Sequence, residues 1–168
     1  LSLQTGIVQW TAPLGATLAT VPVVGGDRLV LAFSDGDIAA VSIADGHEFW
    51  RRRLGSAAAA PPALDAARVF AATIDGAVEA LDLKSGEGLW RQALGGAGHE
   101  MTLDRGRLFL GAADKRFYAL SATTGEIEWF WSTGAETVGA PAVDARSVYV
   151  VSLDNMLRAL NRNSGVQR

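Results

Sequence analysis

The amino-acid sequence predicts an all-β chain, a β-propeller of four-stranded antiparallel blades, with about four blades here as part of a seven- or eight-bladed ring. Three observations predict it. One stretch recurs: Ala80 to Trp90 reads ALDLKSGEGLW, Ala40 to Trp50 AVSIADGHEFW, Ala119 to Trp129 ALSATTGEIEW, Ala159 to Arg168 ALNRNSGVQR and Leu1 to Trp10 LSLQTGIVQW. Its glycines, Gly6, Gly46, Gly86, Gly125 and Gly165, step by 40, 40, 39 and 40 residues, and its tryptophans, Trp10, Trp50, Trp90 and Trp129, by 40, 40 and 39. A period of this size marks one supersecondary unit per repeat. Each unit also holds short apolar runs separated by Gly- and Asp-bearing turns, as stacked antiparallel hairpins require. Finally, no stretch carries a sustained 3.6-residue period, so essentially no helix is expected.

Taken in order, residues 1–14 read as the outer-strand remnant of a preceding blade, with a turn at Gln4-Thr5-Gly6 and a strand starting at Ile7-Val8-Gln9-Trp10. Blade 1 spans 15–55, blade 2 spans 56–95, blade 3 spans 96–134, and blade 4 spans 135–168 and lacks its outer strand. Within blade 1, Thr17 to Val24 is the first strand, Leu29 to Phe33 the second, Ile38 to Ile43 the third and Glu48 to Leu54 the fourth. The second strand is apolar at every position, which marks a strand buried on both faces. Asp35-Gly36 between strands two and three suits a type I′ hairpin, because both central residues tolerate positive φ. The same slots recur in the later blades; their first strands are Pro61 to Leu64, Glu100 to Leu103 and Ala140 to Val143.

Composition narrows the function classes. Net charge is −3, too small to argue for nucleic acid or a membrane surface. The chain has no Cys, which excludes disulfides, thiolate metal sites and Cys nucleophiles. No apolar run reaches the ~18 residues of a spanning helix. No nucleophile elbow or phosphate-binding loop is present, and Gly95 to Gly98 joins two strands rather than entering a helix. Both ends fall inside a repeat, so the chain is expected to be a window cut from a longer protein.

The recurring Ala-Leu-Asp-x-x-Ser/Thr-Gly-x-x-x-Trp resembles the repeat of pyrroloquinoline-quinone (PQQ) dehydrogenases and their PQQ-like relatives. In that family the Trp and Gly dock neighbouring blades. The resemblance therefore implies a docking role for Trp10, Trp50, Trp90 and Trp129 and for Gly6, Gly46, Gly86, Gly125 and Gly165. Elementary chemistry points the same way, since an indole buries a large area and Gly allows close backbone approach.

Candidate sites are few. Asp27, Asp65, Asp104 and Asp144 precede the second strands, and Asp35, Asp75, Asp114 and Asp154 occupy the hairpins. A ring of Ca²⁺-binding carboxylates is one reading. Turn chemistry is preferred, because the pattern recurs in every unit and Asp bonds the backbone two residues on. His99-Glu100 breaks the repeat on an innermost strand, where the other units carry Val21-Pro22, Pro61-Pro62 and Ala140-Pro141. That pair is a candidate channel contact. Arg52, in the Arg51-Arg52-Arg53 run, and Trp131, which has no counterpart in other units, are candidate partner contacts.

The expected function is a non-catalytic scaffold that binds or assembles proteins, similar to the periplasmic outer-membrane assembly factor of the PQQ-like class. A protein partner is expected, no nucleic acid, no transmembrane segment, and no cofactor in this segment. One alternative is a piece of a quinoprotein dehydrogenase, which would hold PQQ with Ca²⁺; another is the extracytoplasmic sensor of a receptor kinase. An open half-ring would expose two flat blade faces, so the chain is expected to pair two-fold into an eight-bladed ring or to be poorly soluble. Closure into four blades, with Ile7 to Leu14 supplying the missing strand, is the competing outcome.

Overall fold

The computed structural model describes residues 5–168. Residues 1–4, including Gln4 of the expected first turn, lie outside the described residues. Among the described residues, fifteen strands form four sheets, each in chain order. The first holds β1 (Val23–Gly25), β2 (Arg28–Ala32), β3 (Asp37–Ser42) and β4 (Glu48–Arg53). The second holds β5 (Ala63–Leu64), β6 (Arg68–Ala72), β7 (Ala77–Asp82) and β8 (Gly88–Ala93). The third holds β9 (Gly98–Asp104), β10 (Arg107–Ala112), β11 (Arg116–Ser121) and β12 (Ile127–Ser132), and the fourth β13 (Ala142–Val143), β14 (Ser147–Ser152) and β15 (Met156–Asn161). No helix occurs among the described residues.

The core lies between the sheets. Val30, Ile38, Ala40 and Trp50 of the first sheet meet Val69, Ala71, Leu81 and Leu83 of the second. Phe70, Ala72, Val78 and Ala80 then meet Leu108, Leu110 and Leu120 of the third, and Phe109, Phe117, Ala119 and Trp129 meet Val148, Val150 and Leu160 of the fourth. The two middle strands thus present apolar side chains to both neighbours, which explains why they do not alternate in hydrophobicity. Each fully buried large side chain contributes about 1.5–3 kcal/mol. Strand contacts between sheets run from β1 to β5, from β5 and β6 to β9, and from β9 to β13. The sheets form an open arc, a propeller segment rather than a closed ring.

Several expectations change in detail. In the hairpin at Ser34-Asp35-Gly36, only Gly36 has positive φ, at 95°. The Gly36 N–H donates to Phe33 O, and the Phe33 N–H donates to Asp37 O. This is a three-residue loop, a type I turn closed by a left-handed residue, not a type I′ turn. Gly76, Lys115 and Asn155 fill the same place in the other sheets. A two-residue loop with both φ values positive occurs instead at Arg105-Gly106, between β9 and β10.

The first strands are shorter than expected in three sheets. There the ladder breaks into an isolated bridge (Leu18 to Phe33, Ala58 to Thr73, Thr137 to Ser152) and a short strand further on. Pro22, Pro62 and Pro141 lie in the gaps, and proline cannot donate to a ladder. The third sheet has no proline here, and β9 is a single strand of seven residues with one bulge in its ladder to β10. Ile7 to Trp10 forms no strand. Residues 7–14 lie against the first sheet, where Leu14 joins Leu31, Phe33 and Val41. They make no ladder with β15, whose Leu160 instead pairs with Gln167. Closure into four blades through Ile7 to Leu14 is therefore not what the chain adopts.

Candidate functional site

Two sets of side chains hold the sheets together. Each docking indole donates its N–H to a carbonyl of the next unit. Trp10 reaches Ile43 O at 2.8 Å, Trp50 reaches Leu83 O at 3.0 Å, Trp90 reaches Ala122 O at 3.2 Å and Trp129 reaches Arg162 O at 3.1 Å. Each ring also covers a glycine. A Cβ on Gly46, Gly86, Gly125 or Gly165 would stand 2.5–2.7 Å from the ring above it. All four glycines have positive φ, between 70° and 79°. Gly6 has the same φ sign, with nothing within 4 Å of a built Cβ.

The second set escaped the sequence reading. Arg28, Arg68 and Arg107 open their second strands and reach into the next sheet. Arg28 donates to Lys84 O at 3.2 Å, Arg68 to Ala122 O at 2.5 Å and Arg107 to Asn163 Oδ1 at 2.7 Å. Their spacing of 40 and 39 residues was the available signal. Arg162, 5% exposed, adds a further tie: it pairs with Asp104 of the third sheet and donates to Asp104 O at 3.1 Å. Glu79 is also buried; it accepts the Gly55 N–H at 2.8 Å and faces Arg91.

Five of the eight repeated aspartates serve their own turns. Asp65 accepts the N–H groups of Ala67 and Arg68, Asp144 those of Arg146 and Ser147, and Asp35, Asp114 and Asp154 the N–H two residues on. Among the described residues, no three His, Asp or Glu side chains cluster as metal ligands would.

His99 and Glu100 lie on β9 and line a concave cavity of about 380 Å³ on the inner side of the arc, to which all four sheets contribute. Ala19, Ala59 and Pro61 make its wall small, and Glu136 adds a second carboxylate. Glu100 is partly committed, accepting the Ala140 N–H at 3.0 Å. The His99 Nε2 atom is buried without a hydrogen-bond partner among the described residues. Arg52 and Trp131 sit elsewhere. Arg52 crosses to the second sheet, donating to Gly86 O at 3.4 Å and lying over Gly88. Arg51 and Arg53 face Asp37 instead. Trp131 is half-buried against the fourth sheet, with the Arg158 guanidinium 5.4 Å from its ring centroid.

Trp50, Trp90 and Trp129 are held in the junctions by hydrogen bonds, and none of them lines the cavity.

Comparison with solved structures supports the fold. BamB from Moraxella catarrhalis superposes with a TM-score of 0.77 at 21% identity, over 95% of this chain and 63% of that one. The chain therefore spans less than two thirds of that relative's length. The computationally designed Ika4 protein gives a TM-score of 0.83 at 16% identity, over 93% of this chain and 98% of that one. The designed Ika8 protein gives 0.78 at 16% identity, over 86% and 45% respectively. A quinohemoprotein alcohol dehydrogenase from Pseudomonas putida HK5 gives 0.75 at 17% identity, over 95% and 35%. No curated protein sequence matches the chain. The family model described as outer membrane protein assembly factor BamB matches residues 1–95 and again 75–168, so the whole chain belongs to that family of PQQ-like repeats.

Proposed function

We propose that the chain is part of a non-catalytic, extracytoplasmic scaffold that binds protein partners during outer-membrane protein assembly. The observation that carries this reading is the family match, which covers both halves of the chain with a model described as an assembly factor. The local chemistry supports it. Most of the repeated carboxylates bond their own turns, and the indoles bond the junctions. The inner wall, with small side chains beside Glu100 and Glu136, suits the basic residues of a partner's loop. Under this reading the segment carries no PQQ.

The test has two arms. The immobilised chain is challenged with the detergent-solubilised outer-membrane assembly machinery of a Gram-negative bacterium. Separately, its tryptophan fluorescence is followed on addition of PQQ with Ca²⁺. Retention of the assembly components, weakened by Glu136→Gln, and fluorescence unchanged by the quinone are expected. Saturable quenching by the quinone would overturn the reading in favour of a dehydrogenase fragment, and so would failure to retain any assembly component.

A further inference from the structure

We propose that the inner cavity receives one arginine side chain of a polypeptide partner, its guanidinium held between Glu100 and Glu136 and bonded by His99 and Thr137. This inference rests on the reading of the inner wall as a partner-binding surface and names the group that the wall selects.

The cavity is built from departures from the repeat. Leu18, Ala58, Gly98 and Thr137 hold one place in the four sheets, each paired with the residue at the end of its second strand. Only Thr137 brings a polar side chain there. Its neighbour Glu136 holds the place of Thr17, Ala57 and Ala97; the carbonyl of each of the four accepts an N–H from the next hairpin. The other two departures, His99 and Glu100, share the bulge opposite Gly111. The Thr137 hydroxyl lies against Gly111, at that same bulge. All four residues line one cavity. In a chain whose pattern is otherwise consistent, such departures are expected at functional sites.

The cavity also leaves polar atoms unmet. Thr137 is 3% exposed, yet its Oγ1 has no hydrogen-bond partner among the described residues, and neither has the buried Nε2 of His99. Buried polar groups are nearly always paired, so two orphans at one cavity point to a ligand group that satisfies them. Among the described residues, no arginine or lysine lines the cavity, so its two carboxylates leave it net negative.

The count of acceptors separates the two basic side chains. One Glu100 oxygen accepts the Ala140 N–H, which leaves its other oxygen, the Glu136 carboxylate, the Thr137 hydroxyl and, with the proton on Nδ1, His99 Nε2. A lysine ammonium offers three N–H donors, whereas a guanidinium offers five in a planar fork. Four acceptor groups on two sheets therefore favour arginine. The volume of about 380 Å³ lies in the range of pockets that enclose a small group, and the low wall at Ala59 and Pro61 leaves room for the aliphatic stem.

The test adds L-argininamide, L-lysinamide or a capped tripeptide with arginine between two glycines to the purified chain. The readout is the proton–carbon NMR spectrum of the imidazole rings, which two histidines keep simple; His47→Gln assigns the His99 signal. A saturable shift of the His99 signal is expected with argininamide and with the tripeptide, and lysinamide should bind about tenfold more weakly. Glu136→Gln and Thr137→Val, with unchanged far-ultraviolet circular dichroism, should each weaken tripeptide binding by about tenfold. No shift at His99, equal affinity for lysinamide, or unchanged affinity in both variants would overturn the proposal. Binding of argininamide without the tripeptide would overturn it too, in favour of a small-molecule site. None of these arms uses the outer-membrane assembly machinery, so the arginine site and the retention of that machinery can fail separately.

Discussion

Gly86 and Trp50 meet so closely that a single methyl group separates a tolerated junction from a broken one. A Cβ at Gly86 would stand 2.6 Å from the indole, and the glycine's φ is 74°. Gly86→Ala is therefore expected to cost about 2–5 kcal/mol, combining a left-handed alanine with an overpacked contact. Gly26→Ala is the matched control, since Gly26 shares the positive φ but a Cβ there meets nothing within 4 Å. Its cost should be only about 1–2 kcal/mol. Urea denaturation of both variants measures the difference, and equal losses would show that the indole contributes nothing. Lys115 gives a prediction of the opposite sign. It holds φ at 63° in a hairpin whose counterparts include Gly36 and Gly76. Lys115→Gly should raise stability by about 1 kcal/mol, read as a higher urea midpoint.

Among the elements, β9 departs most from its counterparts. From bridge to turn the first strand takes seven steps in three sheets, as from Ala58 to Asp65, but six from Gly98 to Asp104. The missing residue produces the single step of 39 in an otherwise regular period of 40. Without it a single strand continues through His99 and Glu100, which form a bulge opposite Gly111. Amide hydrogen exchange should therefore be slower across 98–104 than across 58–64. The reverse order would mean that β9 is no better ordered than the proline-interrupted strands. The turns add a pH dependence. Hydrogen bonds from Arg158 and Ser152 hold the Asp154 carboxyl well below its ordinary range, and those from the Arg146 and Ser147 N–H groups lower Asp144. Burial pushes Asp65 up, but hydrogen bonds from Arg68 and the turn outweigh it. A lowered folded-state pKa gives stability that is complete above the unfolded value near 3.9 and lost as pH falls through the folded one. The melting temperature should thus drop as pH falls from about 5 toward 2, with a shallower drop in Asp154→Asn. The repeat made the strands and turns legible in the sequence. It did not reveal where each proline would interrupt pairing, because that depends on register. Nor did it reveal Arg28, Arg68 and Arg107 as ties between sheets, since an arginine opening a strand reads equally well as solvated. Which carbonyl each indole reaches was likewise beyond a one-dimensional pattern.

At the scale of the whole molecule, each sheet leans only on its neighbours, so stability is a sum of sheets and junctions rather than of one central core. Trp90→Ala, in the middle junction, should cost about 3–5 kcal/mol and split urea unfolding into two transitions; a single sharp transition at lower urea would mean that the four sheets still unfold together. The three sheet-to-sheet junctions and the contact of residues 7–14 with the first sheet each own one indole, bound to one carbonyl. The protein is therefore its own spectroscope. Replacing Trp131 and three of the four by Phe would leave a single emitter at a chosen junction. Its colour and lifetime would then report when that seam opens, so the order in which the arc comes apart could be read by light alone, with no label attached.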